Sequence, residues 1–178
     1  MKDTLAILTT LLFALLGSPS PGAERFSGIS GDKTLVVWAS PANLTQRGGS
    51  ALTIDDRKSH FDAIVFGEIA PSRWMAGSDF YRRTMSEQDA VPAETVGAHT
   101  DVLIAIVYRG NEVTLYRNGG PYSQHAIQEP QRFDSNSAVV MGLRHLESQD
   151  GACFAGAIDD ARIYNVALPW CITRDLGP

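Results

Sequence analysis

Six short runs rich in β-branched and aromatic residues punctuate this chain, each closed off by Gly, Pro, Asn or Asp. They are KTLVVWAS (33–40), HFDAIVFG (60–67), DVLIAIVY (101–108), EVTLYRN (112–118), SAVVMGLR (137–144) and AGAIDDARIY (155–164). Runs of this length and composition read as strands. After Ala23 no stretch sustains an apolar i, i+3, i+4, i+7 pattern, so little helix is expected. Many short strands can bury one face each only by stacking sheet on sheet or by closing into a barrel. The fold class is therefore all-β, a sandwich or a barrel.

The sharpest local unit is the stretch 101–122. Two strands flank Arg109-Gly110-Asn111, and a second turn follows at Asn118-Gly119-Gly120. Gly and Asn tolerate the positive φ that tight hairpin turns require, so this unit reads as a β-meander. In EVTLYRN, Val113 and Leu115 share one face while Thr114 and Tyr116 share the other. Between Pro71 and Glu94 the pattern is less regular. Short strands near Trp74 and over 80–83, then a loop containing Pro92, are the reading there.

The first 23 residues do not belong to this pattern. Met1-Lys2 precedes the apolar run LAILTTLLFALL (5–16) and the small, turn-rich GSPSPGA. This is the layout of a secretory signal peptide cleaved near Ala23, and the run is too short for the roughly 20 residues that span a bilayer. Residues 24–168 then form one domain and 169–178 an unstructured or loosely docked tail. Net charge is −5. With no cluster of Lys or Arg, nucleic acid and anionic membranes are poor partners. No segment after Ala23 is apolar enough to be transmembrane. Export makes a disulfide between the two cysteines, Cys153 and Cys171, chemically allowed; two free thiols are the alternative.

The stretch from Phe154 to Leu168, FAGAIDDARIYNVAL, closely resembles the closing strand of laminin G-like domains in the concanavalin A-like lectin/glucanase superfamily. The segment IAIVYRGNEVTLYRNG (104–119) is similar to that family's central meander, and Val140-Met-Gly-Leu143 to an apolar strand with a glycine. The likeness covers about 101–168 and is weaker over 33–94. It implies a concanavalin A-like jelly roll, a two-sheet antiparallel sandwich, with structural roles for Phe154, Gly156 and Asp159. It also raises calcium, which relatives carry on a sandwich rim. The oxygen-rich stretches 53–56, 134–136 and 147–150 are the places for it, with ordinary polar turns as the alternative.

The same superfamily contains glycoside hydrolases, which need two positioned carboxyls. Glucanases of this fold place them at alternate positions along one strand. The nearest approach here, Glu87-Gln-Asp89, sits in a loop-like stretch without a third acid. Adjacent Asp159 and Asp160 fall on opposite faces of a regular strand. His60, His99, His125 and His145 are scattered, and no Gly-x-Ser-x-Gly elbow occurs. The chain reads as a non-enzyme: a secreted module binding carbohydrate or an extracellular protein. A structural or assembly module without a small ligand is the alternative, and a hydrolase the third reading. Sugar faces stack on flat rings, which makes Trp74, Tyr81 and Tyr122 the ligand-binding candidates. Trp38, within an apolar strand, belongs to the core.

Overall fold

The computed structural model describes residues 28–97, 99–146 and 153–176. The signal-peptide reading and the acidic stretch 147–150 therefore lie outside the described residues.

Among the described residues nine strands and one short α-helix follow in order: β1 (Lys33–Pro41), β2 (Gly49–Asp55), β3 (Phe61–Phe66), β4 (Trp74–Ser78), β5 (Val102–Arg109), β6 (Glu112–Arg117), β7 (Gly120–Ala126), β8 (Ala138–Met141), β9 (Gly156–Tyr164) and α1 (Trp170–Arg174). One sheet has the order β7-β6-β5-β1-β9 and the other β4-β3-β2-β8. All pairings between these strands are antiparallel. The all-β class read from the strand pattern, and the two-sheet antiparallel sandwich that the family resemblance implies, are thus the fold observed.

Alternation along each strand explains why the sheets stack. Leu35, Val37 and Ala39 of β1 and Val102, Ile104, Ile106 and Tyr108 of β5 point into the main core. Leu52 and Ile54 of β2 and Ile64 and Phe66 of β3 meet them from the facing sheet. Each such side chain, fully buried, contributes about 1.5–3 kcal/mol. The run KTLVVWAS is apolar on both faces because β1 is covered on both. Its outward Val36 and Trp38 pack with Leu103 and Ala105, beneath Tyr116, Tyr164 and Leu176. Arg162 from β9 lies over the Trp38 ring, 4.6 Å from its centroid.

The meander follows its turn chemistry. Asn118 and Gly119 both adopt positive φ, +48° and +76°, between paired Arg117 and Gly120. This is the two-residue turn whose twist suits a hairpin. Asn118 secures it by accepting a hydrogen bond from the Leu103 amide at 2.8 Å.

Three elements differ from the sequence reading. β2 and the edge strand β7 were absent from it, and 80–83 is not a strand but part of a 3₁₀ turn beginning at Asp79. The C-terminal segment is docked: Leu168 N donates to Thr34 Oγ1 at 2.9 Å, Thr34 Oγ1 donates to Val166 O at 2.9 Å, and Thr173 is fully buried. No disulfide joins Cys153 to Cys171, and both are exposed free thiols. Cys153 bridges to Ser50 and Leu143 on the four-stranded side. Cys171 sits in α1, whose backbone abuts the β6–β7 turn of the other sheet at Gly119.

Candidate functional site

Between the sheets, beside β3, lies a charged cluster that hydropathy would never place there. Lys33 Nζ stands 2.9 Å from Asp62 Oδ2, and Arg83 Nε donates to Asp62 Oδ1 at 2.7 Å. Arg83 Nη2 also donates to Asp79 Oδ1 at 2.5 Å and to Phe61 O at 3.0 Å. Lys33, Asp62, Asp79 and Arg83 are all buried. The Lys33 ammonium lies 4.3 Å from the Tyr108 ring centroid and donates to Gln131 O at 2.9 Å. Two cations face two carboxylates, which is how a buried charge is tolerated.

This cluster fixes the turn that follows β4. Ser78 Oγ accepts the Arg83 amide at 2.8 Å, and Thr84 Oγ1 donates to Ala76 O at 2.7 Å. Both ends of the turn are thereby held down, and its middle is thrown outward. Phe80 is 82% exposed and Tyr81 51%. Both are left-handed, at φ +49° and +56°. Bulky residues there cost on the order of 1–3 kcal/mol each, and such strain persists only where the surroundings impose it. Here Asp79 and Arg83, anchored on either side, impose it.

The exposed pair has polar company. The Arg82 guanidinium lies 5.6 Å from the Phe80 centroid. Tyr81 Oη donates to Glu68 Oε1 at 3.3 Å, and Glu68 pairs with Arg144 at 2.7 Å. Partial desolvation and the neighbouring Glu68 carboxylate raise the Tyr81 phenol, so it stays a donor. Two exposed rings beside polar groups make up a platform of aromatic surface, the kind of surface on which sugar faces stack.

The three candidate aromatics part company. Trp74 opens β4, the short strand read near it, and there it is 0% exposed. Its ring packs 4.7 Å from Phe66 and 6.0 Å from Phe154, centroid to centroid, and its Nε1 donates to Glu94 Oε2 at 3.1 Å. It has no face left for a ligand. Tyr122 is brought beside it, half-buried. Its hydroxyl accepts the Trp74 amide at 3.2 Å and donates to Pro92 O at 2.6 Å. Glu94 completes this knot through Arg117, with contacts of 2.8 and 2.7 Å. Burial alone would raise Glu94, but hydrogen bonds from Arg117, the Val96 amide and Trp74 outweigh it and hold the carboxyl below its ordinary value. Only Tyr81 stands on the platform. Phe80, Arg82, Glu68 and Arg144 were not singled out in the sequence. The available signal was the run DFYRR, two aromatics flanked by charge in a stretch without strand period.

Phe154 is buried in the main core, and a Cβ at Gly156 would lie 2.3 Å from Ser40 O. The register of β9 against β1 skips Asp159, which is thus the extra residue of a β-bulge. Simple alternation therefore does not separate Asp159 from Asp160. Asp160 pairs with Arg162 at 2.5 Å. Exposed Asp159 shares a hydrogen bond with Asp101, which raises its pKa. That carboxyl pair is in direct contact, whereas glycosidase pairs stand about 5 Å or more apart around the bond they cleave.

The two oxygen-rich stretches among the described residues, 53–56 and 134–136, have protein donors on their carboxylates. Thr53 is buried in β2, and Asp55 accepts the Arg57 amide at 2.6 Å and contacts His145 Nδ1 at 3.0 Å. Asp56 Oδ1 accepts the amides of Lys58, Ser59 and His60. Asp134 accepts the Asn136 amide at 2.8 Å. Among the described residues no three His, Cys, Asp or Glu side chains gather to hold a metal ion.

Comparison with known proteins places this architecture. A family model described as the concanavalin A-like lectin/glucanases superfamily matches residues 20–171. No curated protein matches the chain. Among solved structures, domain 4 of AbnA, a GH43 extracellular arabinanase from Geobacillus stearothermophilus, in complex with arabinotriose, aligns with a TM-score of 0.61 at 18% identity, over 84% of this chain and 67% of that one. A SAP-like pentraxin from Limulus polyphemus aligns at 0.59 and 10% identity, over 84% and 72%. The CBM40 of a Ruminococcus gnavus IT-sialidase aligns at 0.58 and 11% identity, over 82% of each chain. At such identities the likeness is one of fold.

Proposed function

The chain belongs to the concanavalin A-like lectin/glucanase superfamily, and from that premise we propose that it is a secreted, non-catalytic module that binds carbohydrate through the platform of Phe80 and Tyr81. The observation that carries this reading is the pair of exposed rings held in left-handed backbone by a buried ionic anchor. Strain maintained at a solvent-facing aromatic site points to a binding role. Arg82 and the Glu68–Arg144 pair supply hydrogen-bonding groups for hydroxyls around the rings. Fold likeness to a carbohydrate-binding module and to an arabinanase domain supports the substrate class. The apolar segment 5–16 supports export, and among the described residues no helix is long and apolar enough to cross a membrane.

Arabinotriose and α2,3-sialyllactose, the sugars in two of the aligned complexes, are the first ligands to titrate, followed by a glycan array. Binding that weakens about tenfold or more in Tyr81→Ala and in Phe80→Ala supports the platform. Binding unchanged in both variants removes it. An extracellular protein ligand is the second reading, because exposed aromatics beside Arg are also the residues of interface hot spots. An empty array together with capture of a defined extracellular protein, lost on Phe80→Ala, selects that reading.

A further inference from the structure

On the other side of the sandwich, the outward face of the five-stranded sheet carries a cavity of about 180 Å³. Its walls come from β5, β6, β7 and α1, and include Arg109, Glu112, Thr114, Tyr116, Gln124 and Trp170. Trp170 is the outer wall and is held in place from several directions. Its Nε1 donates to Gly119 O at 3.1 Å, and its carbonyl accepts Thr173 Oγ1 at 2.9 Å. Arg109 reaches beneath the segment entering α1 and donates to Leu168 O at 3.2 Å. Gly119 is required there, since a Cβ would lie 2.9 Å from the Arg174 backbone. The helix is too tightly seated to be an incidental cover, yet Trp170 remains 47% exposed.

Arg109 and the Trp170 indole are engaged by the protein, but the other polar side chains of this cavity are not. Among the described residues, the side chains of Glu112, Thr114, Tyr116 and Gln124 make no hydrogen bond to the protein. Trp170 and Tyr116 offer ring surface, Glu112 accepts, and Thr114, Tyr116 and Gln124 both donate and accept. Vicinal hydroxyls on an apolar ring face present the matching set. Arg109 balances Glu112, and Arg174, whose guanidinium lies 5.4 Å from the Trp170 ring centroid, is balanced by Asp175, which favours an uncharged ligand. The volume lies below the roughly 300 Å³ at which drug-sized pockets begin, so it suits one ring rather than an extended chain. We infer that this cavity is a second binding site, for a single neutral monosaccharide unit stacked on Trp170. It stands apart from the platform of Phe80 and Tyr81, which projects from the turn after β4 in the opposite sheet.

The chain carries its own reporter. Of its three tryptophans, Trp38 is 6% exposed and Trp74 0%. Fluorescence quenched by iodide therefore reports Trp170. The probes are the methyl glycosides of glucose, galactose, mannose, xylose and arabinose. At least one should protect against iodide quenching in the wild type and equally in Phe80→Ala/Tyr81→Ala. Its affinity should fall about tenfold in Glu112→Gln, which removes a charged acceptor without touching α1, and further in Glu112→Gln/Gln124→Ala. No protection by any of the five overturns the inference, as does protection that survives the Glu112→Gln/Gln124→Ala change. Protection abolished only by the Phe80 and Tyr81 substitutions returns all binding to the platform and leaves the proposed function intact.

Discussion

Replacing Asp62 by Asn tests the anchor on which the exposed aromatics stand. Asp62 is fully buried and pairs with two cations, Lys33 at 2.9 Å and Arg83 at 2.7 Å. The amide keeps the shape but withdraws the charge. Lys33 would then have only carbonyls and ring faces, and Arg83 only Asp79 and the Phe61 carbonyl. Breaking one partner out of a buried pair costs about 3–5 kcal/mol. For a domain of this size each kcal/mol lowers Tm by about 2–4 °C. The expected loss is therefore about 6–20 °C in Tm, with a lower urea midpoint and an unchanged m-value. Urea unfolding followed by fluorescence of buried Trp74 reads this directly. A loss under about 1 kcal/mol would refute the reasoning, by showing that the cations find equal stabilisation without Asp62. An altered m-value would instead mean that the unfolded or native ensemble had changed.

Other consequences follow from neighbouring features. Phe80→Asn relieves left-handed strain at a mostly exposed position, so urea unfolding should show a gain of roughly 0.5–1 kcal/mol while sugar binding at the platform is lost. Gly119→Ala pushes against α1 and forbids the positive φ; about 1–2 kcal/mol should disappear and Trp170 should become more open to iodide. Glu94 has a folded pKa below its ordinary 4.5, so it contributes stability above that value and surrenders it as pH falls through the carboxylate range. Glu94→Gln should lower the urea midpoint at pH 7 and shallow its decline towards pH 3. A decline as steep as that of the wild type would show that Glu94 is not responsible.

Strands with an apolar inner face were legible because burial leaves a mark on every second residue. β6 carries that mark, whereas β1 and β5, covered on both faces, showed as unbroken apolar runs, and from such runs the all-β reading came. β2 hides behind Gly49-Ser50 and a register shift before Leu52. β7 reads GPYSQHA because an edge strand needs little apolar surface. The site was harder. Charged residues are ordinarily assigned to the surface, and nothing local marks Lys33, Asp62 and Arg83 as mutual neighbours across 50 positions. The left-handed backbone at Phe80 and Tyr81 is imposed by that distant cluster, so no window around DFYRR could reveal it. Trp74 was misplaced for a related reason. Its cover comes from Glu94, Tyr122 and Phe154, all remote in sequence. The segment around Trp170 looked like tail because the groups that seat it, Thr34 at Leu168 and Gly119 at Trp170, lie more than 50 residues away.

The position of β1 between β5 and β9 has a consequence for how the chain assembles. β1 emerges early from a ribosome or an export channel, yet one of its edges stays open until residue 164 has emerged. From the emergence of residue 126 until that of residue 164 the five-stranded sheet can thus exist only as a four-stranded fragment, with the mainly apolar β1 along its bare margin. Contacts that close only at such long sequence separation form slowly. The molecule's period of greatest risk from self-association is accordingly the interval before its last strand arrives, and a chain cut short before β9 should accumulate as aggregate rather than as a smaller soluble domain.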